Sequence, residues 1–182
     1  CKNTKIGVEV FIHGALCISY SGQCLFSSIV GARSANRGRC AQPCRLPYQL
    51  YKQENFKDKE FTMHERNITR DKGYLLSSKD LCGLEYLPKL IKAGVKTFKI
   101  EGRLKPPEYV GTVVRIYRKY MDMAESGKSY TVDEQDKKDL LLAFNRGGFS
   151  DGNFSNEPNQ HYVFKEKPNN MGIYIGNISN IN

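Results

Sequence analysis

Two short stretches set the limits on what this chain can fold into. Ile6 to His13 and Thr97 to Arg103 each alternate side chains as a β-strand does, and helical segments lie between them. In the first, Ile6, Val8, Val10 and Ile12 form one row, and Gly7, Glu9, Phe11 and His13 form the other. In the second, Phe98 and Ile100 share an apolar face, while Lys99, Glu101 and Arg103 share the opposite one. Strands separated by helices pair in parallel with both faces covered. The polar rows are then expected to point into a barrel or crevice, where ionisable groups usually have a task. The order strand, loop, helix, strand, helix predicts an α/β fold, the C-terminal portion of a TIM-like (β/α) barrel, ahead of an open parallel sheet. In both, functional groups gather at the C-terminal ends of strands. His13, Cys17, Glu101 and Arg103 fall at or just beyond such ends.

The rest of the chain supplies the helices. Ser77 to Ala93 predicts an interrupted helix, with a capping box from Ser77 and Asp80, a fresh turn at Pro88 and a stop at Gly94. Pro106 and Pro107 open a strong helix with a buried stripe of Val110, Val113, Val114, Tyr117 and Met121, ended by Gly127. Arg115, Arg118 and Lys119 lie off that stripe and face solvent. Asp133 to Phe144 predicts a third helix, capped by Thr131 or Asp133. Tyr51 to Lys72 reads as a hairpin or an excursion from the core. The glycine-rich Asn145 to Gly152 loop lacks the GKS or GKT ending of a phosphate cradle. The chain begins with Cys1 rather than Met, and Met171 onward reads as a first strand. The expectation is a piece of a longer protein: a partial barrel over 1–167 and the start of a small β domain over 168–182. A partial barrel leaves sheet edges open, so low stability in isolation is expected.

A formal charge of +9, from 28 Lys and Arg against 19 Asp and Glu, favours a polyanion such as RNA. A Lys-rich composition with scattered charges accounts for it equally well. No run is long and apolar enough for a membrane span. Six cysteines without signs of secretion suit a reducing cytoplasm, where thiols bind metal or do chemistry. Cys17 and Cys24 are seven apart, Cys40 follows sixteen later and Cys44 four beyond that, with Cys82 further on. There is no tight Cys-x-x-Cys pair of the zinc type. An iron–sulfur cluster tolerates uneven spacing. Arg33, Arg37, Arg39 and Arg45 surround the group and would lower thiol pKa values, balance an anionic cluster, or hold phosphate or carboxylate. Two other readings stand beside this one: cysteines serving as small hydrophobes, and Cys17 as a nucleophile served by His13.

The stretch Glu9-x-Phe11-x-x-Gly14-Ala15-Leu16-Cys17, followed by Gly22-Gln23-Cys24-Leu25-Phe26-Ser27, resembles the signature of the collagenase-like peptidases of unknown catalytic type, family U32. The resemblance continues through Asn36 to Arg45, Ser78-Lys79-Asp80-Leu81-Cys82, Lys99-Ile100-Glu101-Gly102-Arg103 and Phe144-Asn145-Arg146-Gly147. It implies an α/β-barrel front half and, in many relatives, a β-rich C-terminal domain. It implies either peptidase activity or hydroxylation of transfer or ribosomal RNA bases. It also implies a [4Fe–4S] cluster on Cys17, Cys24, Cys40 and Cys82, with Cys44 a spare able to replace Cys40; Cys1 matches no motif. Glu9, His13 and Glu101 are the candidates for proton handling. Arg33, Arg37, Arg39, Arg45 and Arg103 are the candidates for substrate or an anionic cosubstrate. The commonest role of a strand-end Glu near Arg is an ion pair, here Glu101 with Arg103 or a loop arginine. No Ser-His-Asp, HExxH or Cys-His-Asn arrangement accompanies the protease name. The leading expectation is an iron–sulfur enzyme of RNA base hydroxylation. Its rivals are an endopeptidase for collagen-like chains and a non-enzymatic RNA-binding module.

Overall fold

A computed structural model describes residues 1, 3–52, 67–155 and 162–180. The chain is a mixed α/β protein whose described residues divide into two compact units. Unit 1 comprises Cys1–Leu16, Lys79–Tyr162 and Asn169–Asn182, and unit 2 comprises Cys17–Ser78 and Val163–Pro168.

Unit 1 is built on a four-stranded sheet. Its strands are β1 (Glu9–Ala15), β4 (Asp80–Cys82), β5 (Thr97–Ile100) and β6 (Phe149–Ser150), in the spatial order β5-β1-β4-β6. β1 and β5 pair in parallel, as the intervening helix demands, and so do β4 and β6. β1 and β4 pair antiparallel, with His13 opposite Cys82 and Ala15 opposite Asp80. The expected parallel pairing of the two long strands therefore holds, and the sheet as a whole is mixed.

The segment from Ser77 departs from expectation. Asp80 to Cys82 is a strand, Leu84–Tyr86 a 3-10 turn, and only Leu87–Lys92 (α2) is α-helical, with Pro88 in its first turn. The reason is tertiary. Asp80 is drawn into the interior by Arg146 instead of capping a helix. A Cβ at Gly83 would come within 2.6 Å of Ile12 Cδ1, so this turn lies flush against β1.

α3 (Pro107–Glu125) starts at the second of two prolines, where fixed φ costs nothing and no N–H is needed. Its buried residues are Tyr109, Val113, Ile116, Tyr117 and Tyr120, whereas Val110 and Val114 are 41% and 46% exposed. The buried stripe is thus rotated from the expected one, because large tyrosines fill the space over the sheet. α4 (Glu134–Ala143) is capped by Asp133, whose carboxylate accepts from the Gln135 and Asp136 amides at 2.7 and 3.4 Å. Such a cap contributes about 1 kcal/mol. These helices, β1 and the turn before α2 share one core: Ile12, Leu84, Leu87, Val113, Ile116, Tyr120, Val132 and Leu140, with Tyr109 and Tyr117. Each large side chain buried there contributes roughly 1.5–3 kcal/mol. Residues 169–180 carry no strand. They are tied to α4's end through the Met171 amide on Asn145 O and the Asn145 side-chain amide on Gly172 O, both at 2.9 Å.

Unit 2 contains an antiparallel hairpin, β2 (Tyr48–Lys52) with β3 (Asn67–Gly73), and the short helix α1 (Phe26–Gly31). Of the hairpin or excursion expected over Tyr51 to Lys72, the structure shows the antiparallel strand pairing; residues 53–66 lie outside the described residues. Among the described residues no helix is long and apolar enough to cross a membrane.

Candidate functional site

The chemistry-bearing residues fall into two neighbourhoods, one in each unit. In unit 1 the centre is His13, 1% exposed at the end of β1 and ringed by Tyr109, Tyr117 and Phe149. Its Nδ1 lies 3.2 Å from Tyr117 Oη. That hydroxyl also lies 3.0 Å from Ile12 O, 3.1 Å from the Gly83 amide and 3.6 Å from Cys82 Sγ. A phenol has one proton and two acceptor lone pairs. Its one proton is shared between Ile12 O and Cys82 Sγ as acceptors, and its lone pairs face the Gly83 amide and the His13 ring. His13 Nε2 has no hydrogen-bond partner among the described residues. Burial lowers the His13 pKa to about 3, so the ring is uncharged at neutral pH.

Beside it runs a buried ion pair. Arg146 Nη1 donates to Asp80 Oδ1 at 2.6 Å, with the side chains only 10% and 2% exposed. The guanidinium also lies 4.7 Å over the Phe144 ring. Burial first, then the Asp80 charge, pushes the Tyr109 phenol well up.

Glu101 sits just past β5 and half-buried. Its amide donates to His13 O at 2.8 Å, and its carbonyl accepts from Tyr109 Oη at 3.2 Å. Gly14 permits this approach: at φ 110° it has no side chain, and a Cβ there would lie 2.5 Å from Glu101 O. The Glu101 carboxylate accepts from the Arg103 amide at 3.3 Å, so the expected partner is met through its backbone. His13 and Glu101 are therefore joined through their backbones at adjacent strand ends. Glu9 is not with them. It lies at the start of β1, four residues and about 13 Å back along the strand, and it pairs with Lys99 at 3.3 Å, both side chains half-exposed.

Unit 2 holds the second neighbourhood. The loop after β1 is knit by its own polar groups. Ser27 Oγ accepts from the Ala41 amide at 2.9 Å, Asn36 Nδ2 donates to Gly22 O at 3.2 Å, and Arg33 Nε donates to Arg39 O at 3.0 Å. Between Cys40 and Cys44 the backbone doubles back at Gln42, at φ 56°, and the Gln42 amide donates to Cys40 Sγ at 3.3 Å. Cys17 and Cys40 are exposed, and Cys24 and Cys44 are partly buried. None of the six cysteines, all among the described residues, is in a disulfide. Burial raises the Cys44 thiol pKa, Arg45 opposes it, and Cys17, Cys40 and Cys24 add to the rise. These thiols thus lie within electrostatic reach of Cys44, the cysteine the motif reading sets aside as a spare.

Cys82 belongs to unit 1. Its thiol pKa is pushed up by burial and held back by hydrogen bonds from the Leu84 amide and Tyr117. Arg33, Arg37 and Arg39 are exposed. Arg45 is a clamp: its guanidinium donates to Ser77 Oγ at 2.7 Å, to Ser78 Oγ at 3.2 Å and to Ser78 O. Among the described residues no three His, Cys, Asp or Glu side chains close around a common centre as a metal shell. The loop thiols fit a cluster in kind and number, although their sulfur atoms are not drawn together.

The family model described as Peptidase family U32 matches residues 1–163. The chain belongs to peptidase family U32. Curated relatives carry two kinds of name. A tRNA hydroxylation protein P1 of Bacillus subtilis is 44% identical over 121 residues, 66% of this chain and 28% of that protein. A 23S rRNA 5-hydroxycytidine synthase of Escherichia coli is 45% identical over 119 residues, 65% of this chain and 16% of that protein. A collagenase of Porphyromonas gingivalis is 39% identical over 155 residues, 83% of this chain and 34% of that protein. The chain thus spans about a third or less of these relatives. No solved structure gives a significant match.

Three residues of the U32 chain at the centre of unit 1 escape a reading of the sequence as site residues. Tyr117 presents itself there as a helix-stripe residue, Asp80 as a cap and Arg146 as part of a motif. Their common signal is a polar group inside a family motif or an apolar stripe; which partner satisfies it is not encoded locally.

Proposed function

We propose that this chain is part of an iron–sulfur enzyme that hydroxylates RNA bases, and that its α/β unit is a portion of a TIM-like barrel completed by the remainder of a longer protein. The carrying observation is the 44–45% identity to two proteins named for tRNA hydroxylation and 5-hydroxycytidine synthesis. The thiol-rich loop supports the cluster. Cys17, Cys24 and Cys40 would hold it, with Cys44 or Cys82 as the fourth ligand. The cluster supplies one-electron chemistry when bound. The chain's own residues bind and orient. Arg33, Arg37 and Arg39 offer exposed guanidinium groups to phosphates or an anionic cosubstrate. Glu101, half-buried at the strand end, is the group placed to handle a proton, and His13, neutral and buried, packs behind it.

Anaerobic purification of the full-length protein with iron and sulfide analysis tests the cofactor. Each of Cys17→Ala, Cys24→Ala and Cys40→Ala is expected to abolish iron binding. The pair Cys44→Ala and Cys82→Ala identifies the fourth ligand, since only one of them should do the same. Retention of full iron content by all five variants would sink the cluster. Mass spectrometry of nucleosides from cells lacking the gene tests the reaction, with loss of a hydroxylated base expected. The second reading is an endopeptidase, favoured by the collagenase relative's 39% identity over 83% of this chain. It requires gelatin cleavage by the purified full-length protein and unchanged RNA nucleosides.

A further inference from the structure

A cavity of about 290 Å³ opens within unit 1, between β4, β6, the turn before α2 and α4. Leu84, Val132 and Phe149 give it apolar walls, Tyr86 adds a second aromatic ring, and Cys82 forms part of its lining. We propose that this cavity binds one uncharged nitrogen heterocycle of pyrimidine size, an RNA base entering without its phosphate. Calling the ring an RNA base rests on the function proposed above; the ring chemistry rests on the cavity.

Size is the first argument. Ligand pockets for drug-sized molecules run from about 300 to 1,000 Å³, so this one suits a single ring system. Two aromatic side chains on an apolar lining favour a flat ring, and base–aromatic stacking is a general mode of binding. The polar groups then select among flat rings. Asp151, Glu85 and Lys137 reach the cavity, two carboxylates against one ammonium. The ammonium is already engaged by Glu134 at 3.1 Å and Glu85 at 3.8 Å. An anion is therefore repelled, while a ring bearing N–H donors finds acceptors. Asp151 is set for this, because Tyr86 Oη donates to its Oδ2 at 2.9 Å and fixes the carboxylate. Carboxylates read a base amino group in the same way.

The test is an amide NMR titration of the full-length protein with cytidine, uridine, ribose and the nucleoside monophosphates. Cytidine or uridine should shift the amides of Cys82, Leu84, Tyr86, Val132, Phe149 and Asp151, and ribose should not. The monophosphates should bind about tenfold more weakly, equivalent to about 1.4 kcal/mol. Val132→Phe should abolish the nucleoside shifts by filling the cavity. Glu85→Lys, at an exposed position, preserves the fold and should bring monophosphate affinity up to that of the nucleoside. Nucleosides that leave the lining amides unmoved, or monophosphates that bind as well as nucleosides in the parent chain, would overturn the proposal. If the cavity ignores nucleosides while gene deletion still removes a hydroxylated base, the cavity assignment alone is wrong. If nucleosides bind and deletion alters no RNA base, the ring site stands and the hydroxylation reading falls.

Discussion

The two units treat their charged and polar groups in opposite ways. Unit 1 buries them: His13, Asp80, Asp136 and Arg146 are packed among tyrosines and aliphatic side chains. Unit 2 displays them: Arg33, Arg37, Arg39, Cys17 and Cys40 are exposed on a loop held by side-chain to backbone hydrogen bonds. A buried charge needs a fixed partner and so specifies the fold. An exposed cation or thiol carries no such obligation and is available to a ligand. The difference places the buried, fold-specifying polar contacts chiefly in unit 1 and the exposed arginines and thiols in unit 2.

The sharpest way to break this contrast is at the buried ion pair. Arg146→Met leaves Asp80 charged in an apolar interior, which costs about 3–5 kcal/mol. Urea unfolding should show the loss, and Asp80→Leu added to it should recover most of it. If the single variant loses less than about 1 kcal/mol, unit 1 does not depend on the pair. Arg45 tests the other unit. Its guanidinium clamps the hydroxyls of Ser77 and Ser78. Arg45→Ala should cost about 1–3 kcal/mol by leaving buried hydroxyls unsatisfied, while Arg37→Ala should cost almost nothing. Equal effects from the two would erase the distinction between clamp and recruiting arginines.

Much of this arrangement can be read from the sequence, and the part that cannot has a physical reason. The β1 and β5 strands, their parallel pairing, the proline start of α3 and the Asp133 cap are local or nearly local signals, and all appear. The nearness of His13 to Glu101 follows from strand ends in register. Three things are set by tertiary packing instead. Asp80 leaves its helix cap because Arg146, 66 residues away, offers a better partner. The α3 stripe turns because tyrosine bulk outranks valine spacing. Glu9 shares a strand row with His13, yet row membership says nothing about depth, and it ends at the exposed end of β1 beside Lys99. The family resemblance names the cysteines as a group, and which thiols the fold gathers depends on loop packing that spacing does not encode.

His13 gives the finest test, because its effect is confined to a window of pH. The folded pKa is about 3 through burial, and the unfolded value is about 6.5. Between those values the unfolded chain binds a proton that the folded chain refuses, so stability must fall as pH drops below about 6.5. The slope approaches about 1.4 kcal/mol per pH unit and flattens near the folded pKa; above about pH 7.5 the residue contributes almost no pH dependence. His13→Asn keeps an amide where Nδ1 meets Tyr117 and cannot titrate. Its stability should be flatter than the parent's between pH 6.5 and 5, where few carboxylates titrate. Asp136 does not confuse the comparison. Burial alone would raise its carboxyl pKa, but hydrogen bonds from Lys119 and Tyr120 outweigh that and leave it below the usual value, so its loss comes at more acidic pH. If parent and variant run parallel through that window, His13 is hydrated or charged in the folded chain, and unit 1 does not bury its polar groups as the contrast requires.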